Sequence, residues 1–196
     1  MSQSFNLEFH PLVPDRWNDL EKLFGPKGAC SGCWCMWWRL PNKTFIQQKG
    51  VGNKAALKRI VDAQEEVGIL AYSNGEPVGW CSLGPRESFP RLARSRVLRP
   101  VDEKPVWSVV CFFVAKPFRH RGVTVALLNA AADHARDRGA GTLEGYPMDP
   151  LKGKTADIFA YTGLLSAFRD AGFVEVARRS KTRPIVRRSL MEDATR

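Results

Sequence analysis

Apolar residues alternate near the start of the chain, at Phe5, Leu7 and Phe9, and this two-residue period predicts a strand over 5–13. PDRWNDLEKLF then reads as a helix, opened by Pro14 and Asp15 and ended by Gly25–Pro26. In NKAALKRIVDAQEE, Leu57, Ile60, Val61 and Gln64 share one helical face, with Asn53 as the cap. Two apolar runs flank Asn74–Gly75 in GILAYSNGEPVGWCSLG, which predicts a hairpin. The segment from Pro85 to Arg99 is irregular and basic, with room for one helical turn. VWSVVCFFV, 106–114, is apolar at nearly every position, as a strand covered on both faces must be. A helix over 123–138 stops at Gly139, TLEGYP is a short strand, and TGLLSAFRDAGF holds a helix stopped by Gly172. VEVARRS and PIVRRSL close the chain as strands. No repeat or linker interrupts the pattern, which predicts one α/β domain over 1–196.

Composition narrows this picture. A chain of 196 residues with 44% hydrophobic and 26% charged residues suits one globular domain with a sizeable core. There is no long apolar run, and MSQSFNLEFHPLVPDRW lacks the basic and apolar regions of a signal peptide, so the expectation is a cytoplasmic protein with no membrane partner. Five cysteines are an odd number and do not form a secreted disulfide framework. The formal charge of +10 would steer nucleic acid, anionic lipid or a phosphorylated cofactor to the protein without choosing among them.

The most informative stretch is VWSVVCFFVAKPFRHRGVTVALLNAAADHARDRG. It runs from a buried strand through a basic, glycine-bearing turn into a long helix. The amides of the first helical turn and the aligned peptide dipoles make such a turn an anion site. Arg119, His120 and Arg121 add donors or charge, and Gly122 lets the backbone approach a ligand. Read blandly, Gly122 relieves a tight turn and the arginines are a solvated face. The spacing matches neither the Walker pattern nor the dinucleotide fingerprint.

Arg119-His120-Arg121-Gly122-Val123-Thr124 resembles the acyl-coenzyme A signature of the GCN5-related N-acetyltransferase (GNAT) superfamily, Gln/Arg-x-x-Gly-x-Gly/Ala. Thr124 departs from the usual small residue. GLLSAFRDAGFVEVARR resembles the closing helix, Gly-Phe stop and following strand of the same family, with 105–190 as the motif core. The resemblance implies a single-domain GNAT-like fold whose central mixed, mostly antiparallel sheet is flanked by helices. It also implies acetyl-CoA or another acyl-CoA as co-substrate. The pyrophosphate would lie on 119–124, and the pantetheine arm would pair along Phe112, Phe113 and Val114.

Family members acetylate amines by direct attack in a ternary complex. Their usual acid is a tyrosine four residues before the glycine of the closing Gly-Phe, where this chain has Phe168. Tyr161, two turns earlier, is expected to contact coenzyme A or to act as acid, with helix-start packing as the bland alternative. Glu144, in TLEGYP, is the first choice for a base, against an ordinary solvent-facing position. Tyr146 on the same segment is a substrate-facing candidate and Asp149 a weaker one. His120 faces phosphate and makes a poor base; Cys111 reads as a small core hydrophobe.

ACSGCWCMWWRL carries Cys30, Cys33 and Cys35 among Trp34, Trp37 and Trp38. A structural zinc site needs a fourth ligand, which only His10 offers, so no metal is expected. In the family this segment lines the acceptor entrance. The resemblance therefore makes Trp34, Trp37, Trp38 and Arg39 an aromatic wall for a flat or cationic acceptor, with core packing as the alternative. The acceptor, a small-molecule or protein amine, stays open, as does a homodimer of the kind family members often form. Two other readings are weighed: a non-catalytic acyl-CoA-binding regulator, suggested by Phe168, and a nucleic-acid binder. The latter draws on the arginines of 86–99 and on RRSKTRPIVRR, with no recognition-helix pattern to support it.

Overall fold

The structure is a computed structural model that describes residues 6–150 and 161–191. Its first strand, β1, spans Leu7–Pro11, so Phe5 lies outside the described residues. A single turn at Pro14–Arg16 leads into α1, Trp17–Phe24, which buries Trp17, Leu20, Leu23 and Phe24. The chain leaves it at Gly25, where φ is 63°. A short helix that the pattern does not predict, α2, covers Asn42–Gln47. The next helix, α3, is Val51–Asp62 and starts earlier than expected. Asn53 is not its cap: it is fully buried inside the first turn and donates from Nδ2 to the carbonyls of Gly32 and Phe45, at 3.1 and 3.4 Å. It ties the cysteine–tryptophan segment to α2 and α3.

β2, Gly68–Ser73, and β3, Glu76–Pro85, form the expected hairpin. Asn74 and Gly75 both take left-handed angles, 51° and 78°, as a two-residue turn between twisted strands requires. After α4, Pro90–Arg94, come β4, Trp107–Val114, and α5, Val123–Asp137. β5, Thr142–Gly145, α6, Leu165–Asp170, β6, Val174–Arg178, and β7, Pro184–Ser189, complete the fold. The seven strands form one sheet in the order β1-β2-β3-β4-β5-β7-β6, antiparallel except for β4 with β5. The expected mixed, mostly antiparallel sheet between helices is thus the one observed.

Two hydrophobic cores lie on opposite faces of the sheet. One packs α5 and α6 through Leu127, Leu128, Ala131, Ala135 and Phe168 against Ile69, Ala71 and Val109. The other packs α1, α3 and the cysteine–tryptophan segment against Leu70, Tyr72, Trp80 and Val110. β4 changes its alternation between the two. Ser82 pairs with Cys111 and Leu83 with Val109, leaving Val110 as the extra residue of a bulge. Val110 and Cys111 therefore point to the same core, and Phe112 returns to the other.

Candidate active site

β4 and β5 pair only over Trp107↔Leu143, Ser108↔Glu144 and Val109↔Gly145. Beyond Val109 they part, and a cavity of about 890 Å³ opens along the freed end of β4. Phe112, Phe113 and Val114 line it, as expected of a strand that offers its edge. Two of its backbone groups already have partners: Phe112 N–H donates to the Tyr161 carbonyl at 2.6 Å, and the Val114 carbonyl accepts from Arg119 Nε at 3.0 Å.

The turn at 119–124 forms one end of this cavity. Arg119, His120, Gly122, Val123 and Thr124 line it, whereas Arg121 is not among the lining residues. His120 and Gly122 take φ of 59° and 78°, the left-handed geometry that reverses the chain into α5. A Cβ on Gly122 would meet no protein atom within 4 Å, so within the protein glycine is called for by its backbone angle. Gly122, at the N-cap of α5, has no side chain to cap it, and no acidic residue lies in the first turn of the helix. A fifteen-residue helix thus presents its positive end beside arginine and histidine.

Tyr161 lines the middle of the cavity, held to β4 by its carbonyl. Burial raises the pKa of its phenol, so it stays protonated at neutral pH. Phe168 lies beneath, fully buried between Phe112 and Phe173, with ring centroids 6.0 and 5.0 Å away. A Cβ on Gly145 would come within 2.1 Å of its ring and one on Gly163 within 2.8 Å. The aromatic ring takes the room that two glycines leave where β4 and β5 part.

Glu144 is not brought to the cavity. Sheet register sets it between Ser108 on β4 and Arg187 on β7, with no exposed surface. Its carboxylate accepts from Arg86 Nη1, from the Tyr146 hydroxyl at 2.6 Å and from Arg187 Nε at 2.7 Å. Arg187 also forks onto Asp102, at 2.6 and 3.0 Å, and Arg86 reaches the Leu98 carbonyl at 2.6 Å. Tyr146 is equally buried and hydrogen-bonded to Ser108 at 2.8 Å, its pKa raised by burial and by the Glu144 charge. Both carboxylate oxygens are engaged, and neither Glu144 nor Tyr146 is among the cavity's lining residues. The expectation of a cavity-facing base and of a substrate-facing Tyr146 is corrected accordingly: together with two arginines they form a buried network. Asp149 pairs with Arg178 at 2.8 Å.

The expected aromatic wall reduces to one tryptophan. Trp37 lines the cavity, its ring under the Arg91 guanidinium at 3.7 Å and edge-on to Phe45 at 5.2 Å. Trp34 instead stacks on Trp17, with centroids 6.0 Å apart, and fills the space over Gly28. Trp38 is buried. Arg39 is buried over the Phe89 ring and donates to the Glu66 carbonyl at 3.0 Å; burial pulls its pKa down to about 10, and it remains a cation at neutral pH. These three are packing residues, and the bulk of an indole alone could not distinguish wall from core. Phe45, Lys49, Ala29, Ser31 and the cysteines 30, 33, 35 and 111 also line the cavity. Sequence reasoning did not single out Phe45 or Lys49, since α2 carries too short a pattern to be seen. Among the described residues, no cluster of three or more His, Cys, Asp or Glu side chains could hold a metal ion.

Comparison with known proteins agrees with this architecture. No curated protein matches the chain. Among solved structures, the chain is similar to the PaiA N-acetyltransferase of Thermoplasma acidophilum in complex with coenzyme A. The two share 11% identity and a TM-score of 0.53 over 94% of this chain and 99% of that one. It is also similar to an N-acetyltransferase of Staphylococcus aureus Mu50, with 12% identity and a TM-score of 0.53 over 95% and 99% of the two chains. At such identities the likeness establishes the fold. Residues 34–146, more than half of the chain, match the model of the acetyltransferase (GNAT) family, and with the open β4 end leading to the arginine–glycine turn of α5 they place this chain in that family.

Proposed function

We propose that the protein transfers an acetyl group from acetyl-CoA to a primary amine with an apolar or aromatic body. One observation carries this reading: a single cavity joins the N-terminus of α5 and its basic turn to the open end of β4 and then to Trp37 and Phe45. The turn suits an anion, the strand end an extended arm, and the aromatic end an apolar acceptor. Asp170, on α6, is the sole carboxylate among the described lining residues. Among the described residues the acceptor end therefore lacks the acidic lining that a polycation would need, and it holds no carboxylate to serve as base. In this reading the amine attacks as its free base and its proton passes to solvent. Tyr161, kept protonated by burial, gives its proton to the leaving thiolate.

Calorimetry with acetyl-CoA, followed by thiol release in the presence of arylalkylamines, amino acids and polyamines, tests this. Binding together with amine-dependent release for the first class is the expected result, and Tyr161→Phe should lower turnover by about 10–100-fold while binding persists. Binding with no release for any amine would favour a regulatory acyl-CoA binder, and no binding would remove the reading.

A further inference from the structure

We propose that Cys35 and Cys111 form an oxidation site, a dithiol in the cavity wall that a small organic disulfide converts to an intramolecular disulfide. Their Sγ atoms lie 3.5 Å apart although the residues are 76 positions apart in sequence. Both are free thiols, and both line the cavity. The β4 bulge turns Cys111 towards this core. On the other side, Trp34 and Cys35 take successive left-handed angles, 46° and 52°, which carry the loop in over β4. Trp80 Nε1 donates to Cys35 Sγ at 3.2 Å and holds that sulfur beside its partner. A disulfide requires the sulfurs to approach to about 2.05 Å, a movement of about 1.5 Å that a loop cysteine can supply.

The other thiols are arranged differently. Cys30 is exposed, while burial pushes the Cys33 pKa up to about 12. Contact with Cys35 and burial also raise the Cys111 pKa, so exchange quickens as pH rises and more thiolate forms. In the reaction, one cysteine thiolate attacks a sulfur of the entering disulfide RSSR and releases RS⁻, which takes up a proton. The second cysteine, losing its proton to water, displaces the remaining RS⁻ from the mixed disulfide. The RS–SR bond breaks in the first attack and the mixed disulfide in the second, as the Cys35–Cys111 bond forms; two electrons pass from the protein sulfurs to yield two RSH. The new bond would tie the cysteine–tryptophan loop covalently to β4.

The test uses the reduced full chain with hydroxyethyl disulfide at mildly alkaline pH, alkylation of remaining thiols, and mass spectrometry of unreduced peptides. A Cys35–Cys111 cross-link that dithiothreitol reverses is expected. Cys111→Ser, shown to be folded by circular dichroism, should give no cross-link to Cys35 and a mixed disulfide in its place. Oxidation confined to Cys30 and Cys33, with Cys35 and Cys111 both still open to alkylation after denaturation, would overturn the proposal. Saturating acetyl-CoA should slow cross-linking by about tenfold or more if it occupies the cavity. Cross-linking without that protection would support the thiol pair and count against the acyl-donor reading.

Discussion

Replacing Glu144 by glutamine separates a buried anchor from a catalytic base. The variant keeps the shape of the side chain and removes the charge that Arg86 and Arg187 share. Removing one partner of a buried ion pair typically costs about 3–5 kcal/mol, because the remaining charge is left uncompensated in a largely buried place. Arg187 keeps its fork onto Asp102, and Arg86 keeps the Leu98 carbonyl, which puts the expected cost at the low end, about 3 kcal/mol. For a domain of this size each kcal/mol lowers the melting temperature by about 2–4 °C, so Glu144→Gln should melt about 6–12 °C below the parent protein. Thermal denaturation followed by circular dichroism measures this. Amine-dependent thiol release, assayed well below both transitions, should change by less than about threefold, whereas loss of a general base would cost about 10²–10⁴-fold. An unchanged melting temperature together with a hundredfold loss of turnover would refute the anchor assignment and restore Glu144 as the base.

Gly122→Val places a β-branched residue at φ 78° and should cost about 1–2 kcal/mol locally, weakening acetyl-CoA binding by about tenfold in calorimetry with an unchanged circular dichroism spectrum. Phe168→Tyr, which restores the residue usual in the family, should lower stability by about 1–3 kcal/mol without raising turnover, since the hydroxyl would be added to a fully buried ring packed against Phe112 and Phe173; denaturant titration and initial rates check both halves. The His134 hydrogen bond holds the Glu66 carboxyl below its ordinary pKa, with Arg138 assisting. Its contribution is therefore complete above the unfolded value and is lost as pH falls through the folded one. Melting temperature should drop from about pH 5 downward, and Glu66→Gln should flatten part of that slope.

Local signals were enough wherever neighbouring residues decide the conformation. Asn74–Gly75 announces its turn because both positions need left-handed angles that few residues accept. Gly25, Gly139 and Gly172 stop helices for the same reason, and the apolar run of β4 reports burial on both faces. The strand–turn–helix around Gly122 could be read as an anion site because amides, arginines and glycine stand within a few residues of one another.

Side-chain destination was not legible in the same way. Asn53 looks like a cap until Gly32 and Phe45 are seen to supply its acceptors from other segments. Glu144 looks like a lone carboxylate because Arg86 and Arg187 lie 58 and 43 residues away and meet it only through the fold. Which tryptophan faces the cavity depends on how a loop of left-handed residues winds over α1.

The cysteines give the sharpest contrast. The strict two-residue period of β4 would set Cys111 on the face of Val109, against α5. The bulge at Val110 reverses that parity and turns it to Cys35. By itself the chain determined most of its elements, their order and the basic glycine-bearing turn before α5, because each is set by contacts a few residues apart; the short α2 was the exception. Tertiary structure alone decided which polar and sulfur groups meet, since one inserted residue in a strand exchanges its two faces and leaves the local sequence signal unchanged.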